Sequence, residues 1–237
     1  MNLITAKNLT KEFRNRKVVK GIDMEIKQGQ VLAFIGPNGA GKTTTISMLM
    51  GILKPDGGSV SYWRGDYRNY IGVQLQSTPF FEGYSAEENL KLFAALYRMK
   101  LSQAQIQAKL EECNLATAGK TPAVRLSIGQ QKRLAIAVTT IHHPELIVLD
   151  EPTAGLDPRA RHDIHSTIRS LAKEKRTVMF SSHDMEEVER TADQLIFINY
   201  GRIIAQGRPD VLLKEYQLDS LEALYLHLTD KEERMEQ

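Results

Sequence analysis

Short apolar β-like runs open the chain, at Leu3 to Leu9 and Val18 to Ile26, with the charged stretch Lys11 to Lys17 between them. This predicts an antiparallel β layer. A continuous apolar run, Val31 to Ile35, then leads into Gly36, and Ile46, Leu49, Met50 and Leu53 recur at the i, i+3, i+4, i+7 spacing of a buried helical face. A buried strand followed by a helix over Thr44 to Leu53 is predicted. Pro55-Asp56-Gly57-Gly58 is a dense turn signal, after which Ser59 to Tyr62 alternates as a short strand does.

From Ser85 to His143 the pattern turns helical. Ser85-x-x-Glu88 and Ser102-x-x-Gln105 are capping boxes placed before two apolar faces, Leu90, Phe93, Tyr97 and Ile106, Leu110, Cys113. The α/β rhythm resumes with a buried strand at Leu146 to Leu149, a helix opening at Asp157-Pro158, and a strand at Thr177 to Ser181. Asp184-x-x-Glu187 caps a further short helix. Gln194 to Asn199 reads as a strand that turns at Tyr200-Gly201 into Arg202 to Ala205, a hairpin, and Leu221, Leu224, Tyr225 and Leu228 mark an amphipathic tail helix.

The chemistry begins at the end of the Val31 to Ile35 strand. Gly36-Pro37-Asn38-Gly39-Ala40-Gly41-Lys42-Thr43, followed by Thr44, fits the strand, G-x-x-x-x-G-K-[ST], helix order of a phosphate-binding loop. Backbone N–H groups freed by the glycines curl around phosphate oxygens, Lys42 adds a charge toward the β- and γ-phosphates, and the Thr43 hydroxyl suits Mg²⁺. A second element, Leu146-Ile147-Val148-Leu149-Asp150-Glu151, puts two carboxylates at the mouth of a buried strand. Asp150 is expected to hold Mg²⁺, directly or through water, and Glu151 to polarise an attacking water. Ser181-Ser182-His183 ends the next strand, where His183 is a candidate donor to the γ-phosphate. The predicted fold is therefore α/β: a P-loop NTPase core with a parallel sheet, an N-terminal antiparallel β layer and an inserted helical lobe. Residues 1–76 and 144–220 are assigned to the core, 77–143 to the lobe and 221–237 to a helical tail of one domain.

Composition narrows the class. With 237 residues, 42% of them hydrophobic, the chain can bury a sizeable core. Its apolar runs fall short of the roughly 18 residues that cross a bilayer, and Met1 to Lys7 lacks a secretory h-region, so a cytosolic location, or the cytosolic face of a membrane, is expected. The single cysteine, Cys113, excludes an internal disulfide and reads as a packing residue. A formal charge of +2 gives no reason to expect nucleic acid. His142-His143 before Pro144 reads as a helix end rather than a metal pair.

The order of phosphate loop, helical lobe, Leu126-Ser127-Ile128-Gly129-Gln130, Leu149-Asp150-Glu151-Pro152-Thr153 and Ser181-Ser182-His183 resembles the nucleotide-binding subunit of an ATP-binding cassette transporter. The resemblance covers nearly the whole chain and implies ATP with Mg²⁺ as ligands. It implies that Ser127 and Gly129, with Gln130, belong to an LSGGQ-type signature reaching the γ-phosphate held by a second subunit. It also implies that Gln76 is the lid glutamine near Mg²⁺, with Gln74 as competitor, that Asp157 bridges two subunits, and that Phe13 stacks on adenine where tyrosine is more usual. Glu151, His183 and Lys42 are the catalytic candidates, and Thr43, Gln76 and Asp150 the metal candidates. The implied partners are a separate transmembrane permease subunit and a second nucleotide-binding subunit, at the cytoplasmic face of the cell membrane. The tail, Gly201 to Gly207 and Ser220 to Thr229, resembles drug- and antibiotic-export systems of the ABC-2 type. Ile128 departs from the pattern, standing where the signature most often has its first glycine, and leaves the hydrolysis rate open. A nucleic-acid or ribosome-associated cassette ATPase, a guanine-nucleotide switch and a weakly hydrolytic regulatory cassette are the alternatives; the first lacks its usual long coiled coil here, the second its Asn-Lys-x-Asp reader.

Overall fold

Strands β1 (Asn2–Phe13) and β2 (Arg16–Lys27) form a long antiparallel hairpin turned by Arg14 and Asn15, whose φ values of 46° and 66° are both positive. Two consecutive left-handed residues match the right-handed twist of a hairpin. The strands thus run through Lys11 to Lys17, which the sequence pattern had marked as a break. Glu12, Arg14, Arg16 and Lys17 are exposed at the ribbon's tip, whereas Lys11 is tied to Asp56 at 2.7 Å and the register shifts between Lys11 and Glu12. The computed structural model describes residues 1–76 and 80–236, in two compact units.

The first unit comprises Met1–Tyr67 and Met179–Gln237. Its strand β3 (Val31–Ile35) is buried at every position, as expected of a strand covered on both faces. Helix α1 (Lys42–Leu49) follows, then β4 (Gly57–Tyr62), which pairs antiparallel with β1 to complete a three-stranded layer in the order β2-β1-β4. The helix is shorter than the apolar spacing predicted. Met50 caps it, Gly51 turns at φ 66°, and Leu53 lies beyond the helix, its N–H bonded to the Ser47 carbonyl.

The second unit is Arg68–Val178. Here β5 (Ile71–Gln74) precedes helices α2 (Ala86–Leu96), α3 (Gln103–Glu112) and α4 (Ile128–Thr139), then come β6 (Leu146–Asp150), parallel to β5, and α5 (Pro158–Lys173). Both expected capping boxes are present, Ser85 with Glu88 and Ser102 with Gln105, each closing two orphan amide groups. Leu90, Ala94, Ile106, Leu110, Cys113, Leu134 and Val138 are joined in one apolar cluster. Burial there pushes the Cys113 thiol up to about 12, so it acts as a packing group and not as a nucleophile.

Strand β7 (Thr177–Ser182) carries the chain from the second unit back to the first. Helix α6 (Met185–Thr191) and strand β8 (Gln194–Asn199) follow, with β8 parallel to β3. Tyr200 and Gly201, at φ 44° and 78°, turn β8 into antiparallel β9 (Arg202–Gly207), the expected hairpin. Helices α7 (Pro209–Tyr216) and α8 (Leu221–Glu236) end the chain, with Leu221, Leu224 and Leu228 buried. Among the described residues, no helix is long and apolar enough to cross a membrane.

Candidate functional site

In the first unit, β3 delivers the chain into the glycine-rich loop and two glycines set the loop's path. A Cβ on Gly36 would lie 2.2 Å from the Ile198 carbonyl oxygen of β8, so only hydrogen fits there. Gly41 caps α1 at φ 102°, a conformation that costs an L side chain about 1–2 kcal/mol. The N–H of Gly201 donates to the Ala40 carbonyl at 3.0 Å, so the β8–β9 turn braces the loop from behind. The sequence marks Gly201 as a turn and as the start of the exporter-like tail segment; its link to the loop is a tertiary contact that no local pattern reports.

Lys42 is buried, and its Nζ donates to the Gly36 carbonyl at 2.7 Å and the Pro37 carbonyl at 3.2 Å. The ammonium is thereby curled over the loop's own carbonyls, where a phosphate oxygen can exchange for them. Asn38 and Gly39 are exposed at the rim, Ala40 is buried, and Thr43 and Thr44 are half-buried on the first turn of α1. Phe13 ends β1 and is 45% exposed, and Lys11 Nζ sits 5.5 Å from the ring centroid. That ring is available for stacking. His183 is exposed between β7 and α6, beside a 560 Å³ cavity lined by Asp184, Glu186, Glu189 and Tyr225 among others.

In the second unit, β6 is fully buried and ends at Asp150, which is 0% exposed. Glu151 follows at φ 49°, a left-handed conformation rare outside glycine and enriched at functional positions. Lys132 of α4 donates to the Glu151 carbonyl at 3.2 Å. Burial lowers the Lys132 pKa, and the nearby Glu151 and Asp150 charges pull it back toward the charged form.

Helix α4 starts at a capping box. The Ser127 Oγ accepts from the Gln130 N–H at 3.3 Å and the Gln130 Oε1 accepts from the Ser127 N–H at 2.9 Å, so both side chains are engaged in the cap. Ile128, between them, is 60% exposed. Gly129 faces α5, where a Cβ would come within 3.1 Å of Ala160 Cβ, which supplies a packing reason for that glycine. Asp157 caps α5 by accepting from the Ala160 and Arg159 N–H groups at 3.0 Å, and these bonds, the Ala160 bond first, lower its pKa. The Arg133–Asp163 ion pair at 2.9 Å ties the two helices. Ser127, Gly129 and Asp157 therefore share one groove of about 480 Å³.

The two glutamines part company. Gln74, the last residue of β5, is 0% exposed with neither amide atom hydrogen-bonded, whereas Gln76 is exposed beyond the strand. His142 stacks on Tyr97 at 3.9 Å between ring centroids and contacts the Ile71 carbonyl at 3.2 Å; His143 contacts Arg176.

The sequence profile of the family described as ABC transporter matches residues 19–154. The Nod factor export ATP-binding protein I of Ralstonia nicotianae is 34% identical, over 99% of this chain and 78% of that protein. The lantibiotic transport ATP-binding protein SrtF of Streptococcus pyogenes is 36% identical, over 88% of this chain and 92% of its own length. Among solved structures, an ATP-binding subunit of an ABC transporter superposes with a TM-score of 0.84 at 28% identity, covering 96% of this chain and 99% of that one. The cbiO1 protein of Clostridium perfringens, part of the cbiONQ transporter complex, gives a TM-score of 0.80 at 29% identity, covering 100% and 99%.

Proposed function

The chain belongs to the ABC transporter family, and from that premise we propose that it is the ATP-hydrolysing subunit of an exporter whose pathway is formed by a separate transmembrane subunit. The observation that carries this reading is the buried strand leading into the glycine loop, with Lys42 Nζ held on the Gly36 and Pro37 carbonyls at the start of α1, where loop amides and one ammonium are at hand for a phosphate. The export direction is supported by the relatives, one named for Nod factor export and the other for lantibiotic transport. The absence of a membrane-crossing helix among the described residues agrees with a peripheral position on the cytoplasmic face.

In this reading residues 1–76 and 144–220 form the nucleotide-binding core, 77–143 the helical lobe and 221–237 the tail. Gly36 to Thr44 cradle the triphosphate and Phe13 stacks on adenine. Thr43, Gln76 and Asp150 offer a hydroxyl, an amide and a carboxylate, an all-oxygen donor set that fits Mg²⁺, a cation that takes few protein ligands. When bound, Mg²⁺ neutralises charge that develops on the β- and γ-phosphates. Glu151 orients and deprotonates the attacking water, and His183 donates to the γ-phosphate. Ser127, Gly129, Gln130 and Asp157 line or cap the second unit's groove and serve a second copy's nucleotide, so two chains close around two ATP. Closure on ATP and reopening after hydrolysis drive the membrane partner, because ATP binds the closed state better.

The test is purification of the full chain from membranes with Mg-ATP present. Recovery of one multi-spanning protein, with ATP hydrolysis lost in Lys42→Ala, is expected. A chain that neither hydrolyses ATP nor retains it, with no membrane protein recovered, overturns the reading.

A further inference from the structure

The turn that carries His183 is held in a closed hydrogen-bond circuit. Ser182 Oγ donates to Glu187 Oε2 at 2.8 Å in a buried bond. The same Oγ accepts the Asp184 N–H at 3.0 Å, and Asp184 Oδ1 accepts the Glu187 N–H at 3.1 Å. The Ser182–Asp184 link spans His183, which is exposed while Ser182 and Glu187 are buried at 3% and 5%. A carboxylate is costly to bury unless it is hydrogen-bonded, and the Ser182 hydroxyl, one residue before His183, supplies such a bond.

We propose that Glu187 is a positioning residue for ATP hydrolysis, acting through His183. This rests on the role given to His183 above. The backbone of residues 182 to 184 is the only covalent support of the His183 ring, and a ring that must meet a γ-phosphate within hydrogen-bond distance tolerates little angular freedom. The Glu187 carboxylate fixes the Ser182 hydroxyl as a donor toward itself, which leaves that oxygen's lone pairs for the Asp184 amide. Without the carboxylate the hydroxyl rotates freely and the Asp184 amide loses a fixed acceptor. The phosphate loop is not part of the circuit, so ground-state ATP binding is left intact and the effect falls on turnover.

Steady-state ATP hydrolysis by the full chain tests this with Glu187→Ala, Glu187→Gln, His183→Ala and the Glu187→Ala/His183→Ala double variant. Glu187→Ala is expected to lower kcat about tenfold with KM for ATP within about twofold. Glu187→Gln keeps an acceptor oxygen at the same reach and restores kcat to within about twofold. The double variant is expected to be no slower than His183→Ala, since both changes remove one function. Wild-type turnover in Glu187→Ala, or a double-variant loss equal to the product of the single losses, overturns the proposal while leaving His183 in its role. Wild-type turnover in His183→Ala overturns both. Should Glu187→Ala lack a cooperative melt, Ser182→Ala removes the same bond with a smaller change and is held to the same outcomes.

Discussion

Lys132, on the second turn of α4, donates its ammonium to the backbone carbonyl of Glu151, the residue just beyond β6, and the two are joined at 3.2 Å. The bond pins a residue whose backbone is already in a left-handed conformation at φ 49°. Glutamine has the same shape and the same backbone preference as glutamate, so Glu151→Gln leaves this arrangement standing. Its stability is expected to change by less than about 0.5 kcal/mol, while ATP turnover falls at least about 100-fold and a nucleotide-bound dimer accumulates. Steady-state hydrolysis beside a melting curve reads both; unchanged turnover removes Glu151 from its proposed role.

The phosphate loop offers a contrast between two of its glycines. Gly36→Ala drives a methyl group to 2.2 Å from the Ile198 carbonyl, whereas Gly39 has open space around it and only a φ of 81° to resist a side chain. Urea unfolding is expected to show a loss of at least about 2 kcal/mol for Gly36→Ala and about 1 kcal/mol for Gly39→Ala. Equal losses would mean that the close approach of the loop to β8 is not what selects glycine at position 36.

Gln74 carries a cost that a sulfur side chain of similar length avoids. Both of its amide atoms are buried and, among the described residues, without a hydrogen-bond partner. Gln74→Met is expected to raise unfolding stability by about 1–3 kcal/mol, because the desolvation of an unmet amide disappears. A lower urea midpoint in this variant contradicts the orphan state of the amide.

His142 links stability to acidity. Burial lowers its pKa, partly opposed by the Ile71 carbonyl, so the folded chain stays neutral at pH values where the unfolded chain takes up a proton. Stability is therefore fully present above the ordinary histidine value near 6.5 and declines as pH falls below it toward the lowered folded value. His142→Phe keeps an aromatic ring against Tyr97, 3.9 Å away in the stack, and is expected to flatten that decline. Unfolding free energies between about pH 7 and 5 measure it; a slope identical to wild type assigns the decline to other groups.

Much of the local structure was legible from the residues alone. The capping boxes at Ser85 and Ser102, the Pro158 start of α5 and the Tyr200-Gly201 turn are all present, because each is decided by groups within about four residues. Where the reading and the structure differ, the cause is a longer pairing, a local breaker or a distant neighbour. The Arg14-Asn15 turn lacks glycine, yet long pairing along β1 and β2 holds both residues left-handed. Helix α1 stops early although its apolar spacing continues, because Gly51 breaks it while Leu53 bonds back to Ser47. Gly129 looks like a pure phosphate contact in the sequence, but Ala160 of the following helix α5 also limits its size.

The amino-acid order alone determined the expectation of a bound triphosphate, since a glycine loop, a lysine and a buried strand leading into two carboxylates state their chemistry through short-range spacing. It also determined where most helices begin, through side chains that satisfy amide groups a few residues away. Only the tertiary structure decided which glutamine is buried, which glycines are required by a neighbouring backbone, and that a carboxylate at Glu187 closes a circuit around His183. Those outcomes depend on which surfaces are brought into van der Waals contact and which polar groups lose water, and no periodicity along the chain records either.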